Sequence, residues 1–318
     1  EQSHTVLISE DNALDVSSES HNPAALLTSI DFQRQAKTPY EQACVREANV
    51  QAAPAHRAAY EAFMAGASEL EISAAYLRAC ASSENDMPYS IIAGLNEHAA
   101  VLHHFMLDNV APSSPRSFLI DAGVEVNGYA SDITRTYAFD PSSEFAAMIA
   151  LMDSKQQELV AEGGIGRSPA DLHILSHLKC AEILNEFGVI KVSAEEGLES
   201  RLTETFYPHG LGHHLGCNVH DKGSNYVSST GEVLPPPAKY PKLRSTAPMV
   251  ANQIHTVEPG LYFIPAFLQK LRGTPAEKNV DWSQVERFLP FGGIRIEDNV
   301  IVHADGRLEN LTRDAFSS

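Results

Sequence analysis

Residues 118–136, FLIDAGVEVNGYASDITRT, carry an Asn-Gly pair between two half-apolar runs rich in β-branched residues. Asn127-Gly128 supplies the backbone freedom of a tight hairpin, so the segment predicts two antiparallel strands. With the loop centred on Val126 and Asn127, Asp121 falls directly opposite Asp132. Side chains so paired lie about 4.5–5.5 Å apart on one face. Two carboxylates that close repel, and one takes up a proton unless a cation lies between them. A register shifted by one residue instead leaves one of the two acids in solvent.

Helices flank this hairpin. Thr38-Pro39-Tyr40-Glu41 combines a cap residue, proline at the first helical position and a glutamate to close a capping box. The helix runs to about Met64, with Pro54 expected to kink or interrupt it. Ser68-Glu69-Leu70-Glu71 caps a second helix reaching about Ala81. Strand-like runs follow at 90–95, 98–103, 117–124 and 129–139, then helices at 143–162 and 169–187. Further strand-like runs lie around 215–220, 254–264 and 292–303, joined by proline-rich loops such as LPPPAKYP. Strands in hairpins rather than in βαβ alternation define an α+β chain. Residues 1–36, with the acidic, serine-rich stretch SEDNALDVSSES, read as a linker or the remnant of a preceding domain, and 37–318 as one domain. The first residues lack a start methionine and the basic and apolar regions of a signal peptide, so residue 1 reads as a cut point or a processed end.

Bulk properties exclude several classes. A net charge of −18 argues against a nucleic-acid groove or an anionic membrane surface as partner. No apolar run approaches the roughly 18 residues of a membrane span. Four scattered cysteines, Cys44, Cys80, Cys180 and Cys217, favour reduced thiols in a cytoplasmic protein over a disulfide scaffold or a zinc knuckle.

The stretch PHGLGHHLG, residues 208–216, gathers His209, His213 and His214 among three glycines, with His220 close behind. Glycine disfavours both a helix and a packed core strand, and often marks close backbone approach. The cluster reads as a metal or catalytic site, or as a solvated loop. Glu258 sits in HTVEPG just before a Pro-Gly turn. Glu297 sits in GIRIEDNVIV, where alternation puts Arg295 and Glu297 opposite Ile294, Ile296, Val300 and Val302. Asp298 then points to the apolar side, or the strand is bulged. Two aspartates, two glutamates and one imidazole suit Mn²⁺, Co²⁺ or Zn²⁺ better than a cysteine-rich structural zinc site would. Four carboxylates balance two divalent ions, and such a pair generates a nucleophilic bridging hydroxide.

In this order, IDAG-VEVNGYASDITRT, PHGLGHHLG, TVEPG and GGIRIEDNV resemble the metallopeptidases of the pita-bread (creatinase/aminopeptidase) fold. PYSIIAGLNEHAAVLHH, VHD, PPAKYPKLR and the insertion from LYFI through Trp282 to LPFGGIRIED are more similar to the bacterial prolidase (Xaa-Pro dipeptidase) branch, which includes the organophosphorus acid anhydrolases. The resemblance spans residues 30–313. It implies curved antiparallel sheets covered by helices, and a dinuclear site on Asp121, Asp132, His213, Glu258 and Glu297. Mn²⁺ is the expected ion, with Co²⁺ or Zn²⁺ as alternatives. Asp132 and Glu297 would bridge the ions, and Glu258 would also shuttle a proton. His103 would lie near the nucleophile and His220 would polarise the substrate carbonyl. His209 and Arg244 would meet the product-side carboxylate, with Tyr89 in the pocket wall, and His214 reads as a packing residue. The activity implied is hydrolysis of Xaa-Pro dipeptides by a metal-bridging hydroxide, in a homodimer, with side activity on organophosphorus esters. An aminopeptidase P-like enzyme acting on longer peptides, methionine aminopeptidase, which shares the metal ligands, and a non-catalytic binding module of the same fold are the rival readings. Three features depart from the pattern: only the tail of the usual N-terminal domain fits before residue 30, Lys222 and Ser224 replace smaller or apolar residues, and TAPMV lacks a common arginine.

Overall fold

Asn127 and Gly128 both take positive φ, 53° and 83°, as a two-residue hairpin turn requires. The turn therefore sits one residue later than the centre at Val126-Asn127, and the register moves by two. Asp121 pairs with Thr134 rather than with Asp132. A slip of two is even, so both acids stay on the same face of the ribbon.

The computed structural model of the chain describes residues 6–10 and 21–318. The strands are β1 (Ile92–Leu95), β2 (Ser117–Ala122), β3 (Glu125–Val126), β4 (Tyr129–Ala130), β5 (Ile133–Ala138), β6 (Gln253–Val257), β7 (Gly260–Tyr262), β8 (Gly293–Arg295), β9 (Asp298–Val302) and β10 (Leu308–Asn310). All their pairings are antiparallel. One sheet has the order β1-β2-β5 and another β10-β9-β6, with β3-β4 and β7-β8 as two-stranded ribbons. The two larger sheets meet where Thr134 bridges Glu297. There the Thr136 hydroxyl donates to the Arg295 carbonyl at 2.9 Å, and Arg135 donates to the Glu297 carbonyl at 2.7 Å.

The helices are α1 (Ala24–Gln33), α2 (Pro39–Met64), α3 (Glu69–Ala79), α4 (Glu144–Ala161), α5 (Pro169–Glu186), α6 (Ala194–Glu199), α7 (Pro265–Leu271), α8 (Trp282–Phe288) and α9 (Leu311–Ser317), and the pairs α2/α3 and α4/α5 cover the sheets. The expected capping boxes open α2 and α3, each satisfying helix-end donors for about 1 kcal/mol. Phe63 and Tyr76 from this pair pack on Phe118 and Ile120. On the other side Met148, Cys180 and Leu184 of α4 and α5 pack on Leu261 and Ile294. This is the α+β pita-bread arrangement that the resemblance implied.

Several local expectations are corrected. Pro54 does not interrupt α2, which continues through it. The lost bond belongs to the Val50 carbonyl, and Pro54 and Val50 both lie on the exposed side, where water can satisfy it. Residues 98–103 form no strand. Asn96 takes φ 55° and starts a 3₁₀ turn to Ala100, held by its side chain on Arg116 and Ser114. Around 215–220 only a single bridge, His214 to His255, remains. The chain doubles back there, with the Asp221 N–H on the His214 carbonyl at 2.9 Å. The runs 254–264 and 292–303 are each broken in two, β6 from β7 and β8 from β9, and Glu258 and Glu297 sit in the breaks. The stretch 11–20, most of the acidic, serine-rich segment, lies outside the described residues. Residues 24–33 of the expected linker are the helix α1, and Asp31 of α1 packs on Gly223.

Candidate metal centre

Four of the proposed donors are delivered by a strand end or a strand break, and His213 by a loop laid against β6. Asp121 is the penultimate residue of β2, two before Gly123, where a Cβ would lie 2.0 Å from the Ser131 carbonyl oxygen. Asp132 sits between β4 and β5, its backbone N–H on the Asn299 side-chain oxygen at 3.0 Å. His213 is clamped against β6: its N–H donates to the Thr256 hydroxyl at 3.0 Å, and its carbonyl accepts the Thr256 N–H at 2.9 Å. Gly212 permits that approach, since a Cβ there would meet the Thr256 oxygen at 2.0 Å.

The five side chains line one cavity of about 160 Å³. Ligand atoms of Asp132, His213 and Glu297 all lie within 4.8 Å of one another. His213 Nε2 is 3.4 Å from Asp132 and 3.5 Å from Glu258. Its Nδ1 lies 3.0 Å from the His214 carbonyl, which can only accept, so Nδ1 carries a proton and Nε2 is the nitrogen turned to the carboxylates. Burial works against the charged imidazole, but Asp132 and Glu258 raise it above its ordinary value.

Electrostatics test whether cations belong here. Burial pushes the Asp121 carboxyl up to about 6, with Arg295 opposing and Asp132 adding to the rise. Burial and the neighbouring aspartates push Glu258 up to about 7, against His213 and Arg295, and raise Glu297 well above the usual range. Asp132 alone is lowered: burial opposes it, but His213 holds it down. Asp121 Oδ1 is buried without a hydrogen-bond partner. Four converging carboxylates, one orphaned oxygen and an imidazole nitrogen turned towards them fit oxygen-preferring divalent ions.

The remaining expected residues divide. His220 lines the cavity with its ring 4.4 Å from His213 and perpendicular to it. Burial first, then His213 and Arg244, lower it to about 4, so it is neutral at pH 7. His103 and Arg244 also line the cavity, and both are exposed. Tyr89 does more than form a wall: its hydroxyl donates to Asp132 Oδ1 at 2.6 Å. His209 is committed on both nitrogens, to the Gly210 carbonyl and the Tyr262 hydroxyl, each at 2.8 Å. In this conformation only its ring face is available to a ligand. His214 is buried edge-on against His255 at 4.6 Å, a packing residue as expected.

Sequence reasoning missed a supporting network. Arg295 donates to Asp121 at 2.7 Å, to the Tyr262 hydroxyl at 2.9 Å and to the Thr134 hydroxyl at 3.0 Å. Thr134 donates in turn to Glu297 at 2.6 Å. Alternation had put Arg295 on the face of Glu297, but no sequence signal names Tyr262 or Thr134 as its partners. Glu69 was read only as a cap-region acid. Its carboxylate takes the Leu95 and Asp108 N–H groups, each at 2.9 Å, and lies 2.8 Å from both His98 and His104. That hub ties the loop carrying His103 to α3. Asp298 is buried between Arg135 and Arg313 at 2.7 Å each, which accounts for an acid on the apolar side of its strand.

The fold and the donor cluster define a metallopeptidase class: residues 43–304 match metallopeptidase family M24, and the chain belongs to that family. It is 48% identical over 293 residues to an Xaa-Pro dipeptidase of Pseudoalteromonas haloplanktis, covering 92% of this chain and 66% of that protein. It is 47% identical over 302 residues to an Xaa-Pro dipeptidase of Cronobacter sakazakii, covering 95% and 68%. The chain thus spans about two thirds of the length of these curated relatives. Among solved structures, aminopeptidase PepP of Pseudomonas aeruginosa superposes with a TM-score of 0.71 at 26% identity, over 90% of this chain and 58% of that one. Among the described residues no helix is long and apolar enough to cross a membrane.

Proposed function

We propose that the chain hydrolyses Xaa-Pro dipeptides at a dinuclear centre held by Asp121, Asp132, His213, Glu258 and Glu297, with Mn²⁺ favoured over Co²⁺ or Zn²⁺. The observation that carries the reading is Arg244, on the wall of the donor cavity and without an ion-pair partner among the described residues. It stands in a chain nearly half identical to proteins named Xaa-Pro dipeptidase. A free guanidinium there suits the terminal carboxylate of a two-residue substrate, which it can hold bidentately.

Bound divalent ions would supply the charge that activates water and polarises the scissile carbonyl. The protein's own groups do the rest. Neutral His220 donates one N–H to the carbonyl oxygen as negative charge develops there. Glu258 accepts the proton of the attacking water and returns it to the imino nitrogen of the leaving proline. Tyr89 fixes Asp132 from behind, and Arg295 and Thr134 fix Asp121 and Glu297. His103 and the ring face of His209 bound the substrate. A cytoplasmic homodimer completes the proposal, supported by four unpaired cysteines for the compartment and by the family resemblance for the dimer.

The test is cleavage of Gly-Pro and Leu-Pro, beside a proline-containing tripeptide, by chelated protein reloaded with Mn²⁺. Dipeptides alone should be cleaved, and Arg244→Ala should raise KM about tenfold or more with a smaller change in kcat. Equal cleavage of the tripeptide, or unchanged KM in the variant, would move the reading to an aminopeptidase P-like enzyme, which the likeness to PepP favours.

A further inference from the structure

Behind His209 lies a second, larger cavity of about 450 Å³. It shares His209, Gly210 and Lys242 with the donor cavity, but Arg244 and the five donors do not reach it. Nothing in the proposed hydrolysis uses it.

Its charge is unusual for this chain. Lys239, Lys242 and Lys270 line it, and none forms an ion pair with an acid among the described residues. The one acid on its wall, Glu204, is taken by Arg201 at 2.7 Å. In a molecule of net charge −18, three unneutralised lysines around one concavity focus positive potential where an anion can use it.

The interior is built differently from the rim. Pro208, Leu243 and Leu271 make an apolar wall, and His173, His177 and Tyr240 make an aromatic one. His177 stacks on Tyr240 at 5.2 Å and His173 meets the same ring edge-on at 4.5 Å. Burial keeps both imidazoles neutral, lowering them to about 3 and about 4. The Tyr240 hydroxyl and His173 Nδ1 are buried without a hydrogen-bond partner, although the two residues are only 8% and 3% exposed. Both atoms lie beneath the cavity surface, so an occupant meets aromatic ring there, and the polar contacts come from the lysines at the rim.

We infer that this cavity is a second binding site, for a small carboxylic acid with an apolar body: the body against the aromatic and aliphatic walls, the carboxylate toward Lys239 and Lys270. The same chemistry comes from a free acid or from the C-terminal residue of a peptide. Binding needs no turnover, so the inference stands or falls separately from the proposed hydrolysis.

The probe is N-acetylphenylalanine, titrated calorimetrically into the full chain beside its amide and acetate. The acid should bind about tenfold or more tighter than either control, since one lacks the charge and the other the apolar body. Lys239→Ala/Lys270→Ala, at sites where little packing is lost, should weaken binding about tenfold or more, and Arg244→Ala not at all. Displacement of the probe by Gly-Pro-Phe on the Asp132→Asn variant would identify a peptide's end as the source. No displacement would identify a separate acid, and both results keep the site. Binding lost in Arg244→Ala but retained in the lysine variant, equal binding of acid and amide, or no binding at all would overturn it.

Discussion

Replacing Arg295 with methionine removes the cation on which Asp121 rests. The guanidinium is 5% exposed and contacts Asp121, Tyr262 and Thr134. Methionine fills comparable space with a flexible apolar chain, so the packing loss is small and the electrostatic loss dominates. Breaking a buried pair costs about 3–5 kcal/mol because the surviving charge stays buried and uncompensated. Asp121 is already pushed up to about 6 and escapes part of that cost by taking up a proton. The lower end, about 3 kcal/mol, is therefore expected at pH 7. For a chain of 318 residues it corresponds to a fall in Tm of roughly 4–5 °C. Urea unfolding in the presence of EDTA measures it, by a shift in midpoint at constant slope. Asp121→Asn/Arg295→Met leaves no buried charge at the pair and should recover about 1.5–3 kcal/mol of the loss as coupling between the two sites. A single variant within about 1 kcal/mol of the parent, or a double variant no more stable than the single, would refute the reasoning.

Two further outcomes follow from particular side chains. His56 is fully buried and pushed down to about 3 by burial, against an ordinary value near 6.5. Below pH 6.5 the unfolded chain binds a proton there that the folded chain refuses, so stability falls as pH drops from 6.5 towards 3. His56→Gln should therefore narrow the gap to the parent by about 2 kcal/mol between pH 6.5 and 5, read from urea midpoints; a constant gap contradicts the assignment. Gly212→Ala would put a methyl group 2.0 Å from the Thr256 carbonyl oxygen, prising the His213 segment from β6. Bound Mn²⁺ should drop by at least half in that variant, and normal metal content would show that the backbone approach at Gly212 is dispensable.

What was legible in the sequence were features set by local chemistry. Capping boxes at Thr38 and Ser68 fixed two helix starts, and Asn127-Gly128 fixed a hairpin. The face shared by Asp121 and Asp132 survived a two-residue error because strand periodicity is two. Features decided by tertiary contact were hidden. Asn96 turns the chain through bonds to Arg116 and Ser114, against a strand-like local pattern. Pro54 is tolerated because of which side of α2 faces water. The breaks that aim Glu258 and Glu297 into the cavity look from the sequence like continuous strands. Arg295 could be assigned a face but not its partners, since Tyr262 and Thr134 lie 33 and 161 residues away along the chain. His209, expected to meet substrate, has its nitrogens engaged by Gly210 and Tyr262, a constraint that only the folded geometry reveals.

The central claim is that five converging side chains hold divalent ions whose charge offsets their mutual repulsion. Elemental analysis after equilibrium dialysis against Mn²⁺ tests it most directly, with the parent and Asp132→Asn compared side by side. Asp132 stands within 4.8 Å of the ligand atoms of both His213 and Glu297, so its loss should empty the centre. The account predicts two ions per chain in the parent and at most one in the variant. A parent that retains none, or a variant that retains as many as the parent, would contradict it.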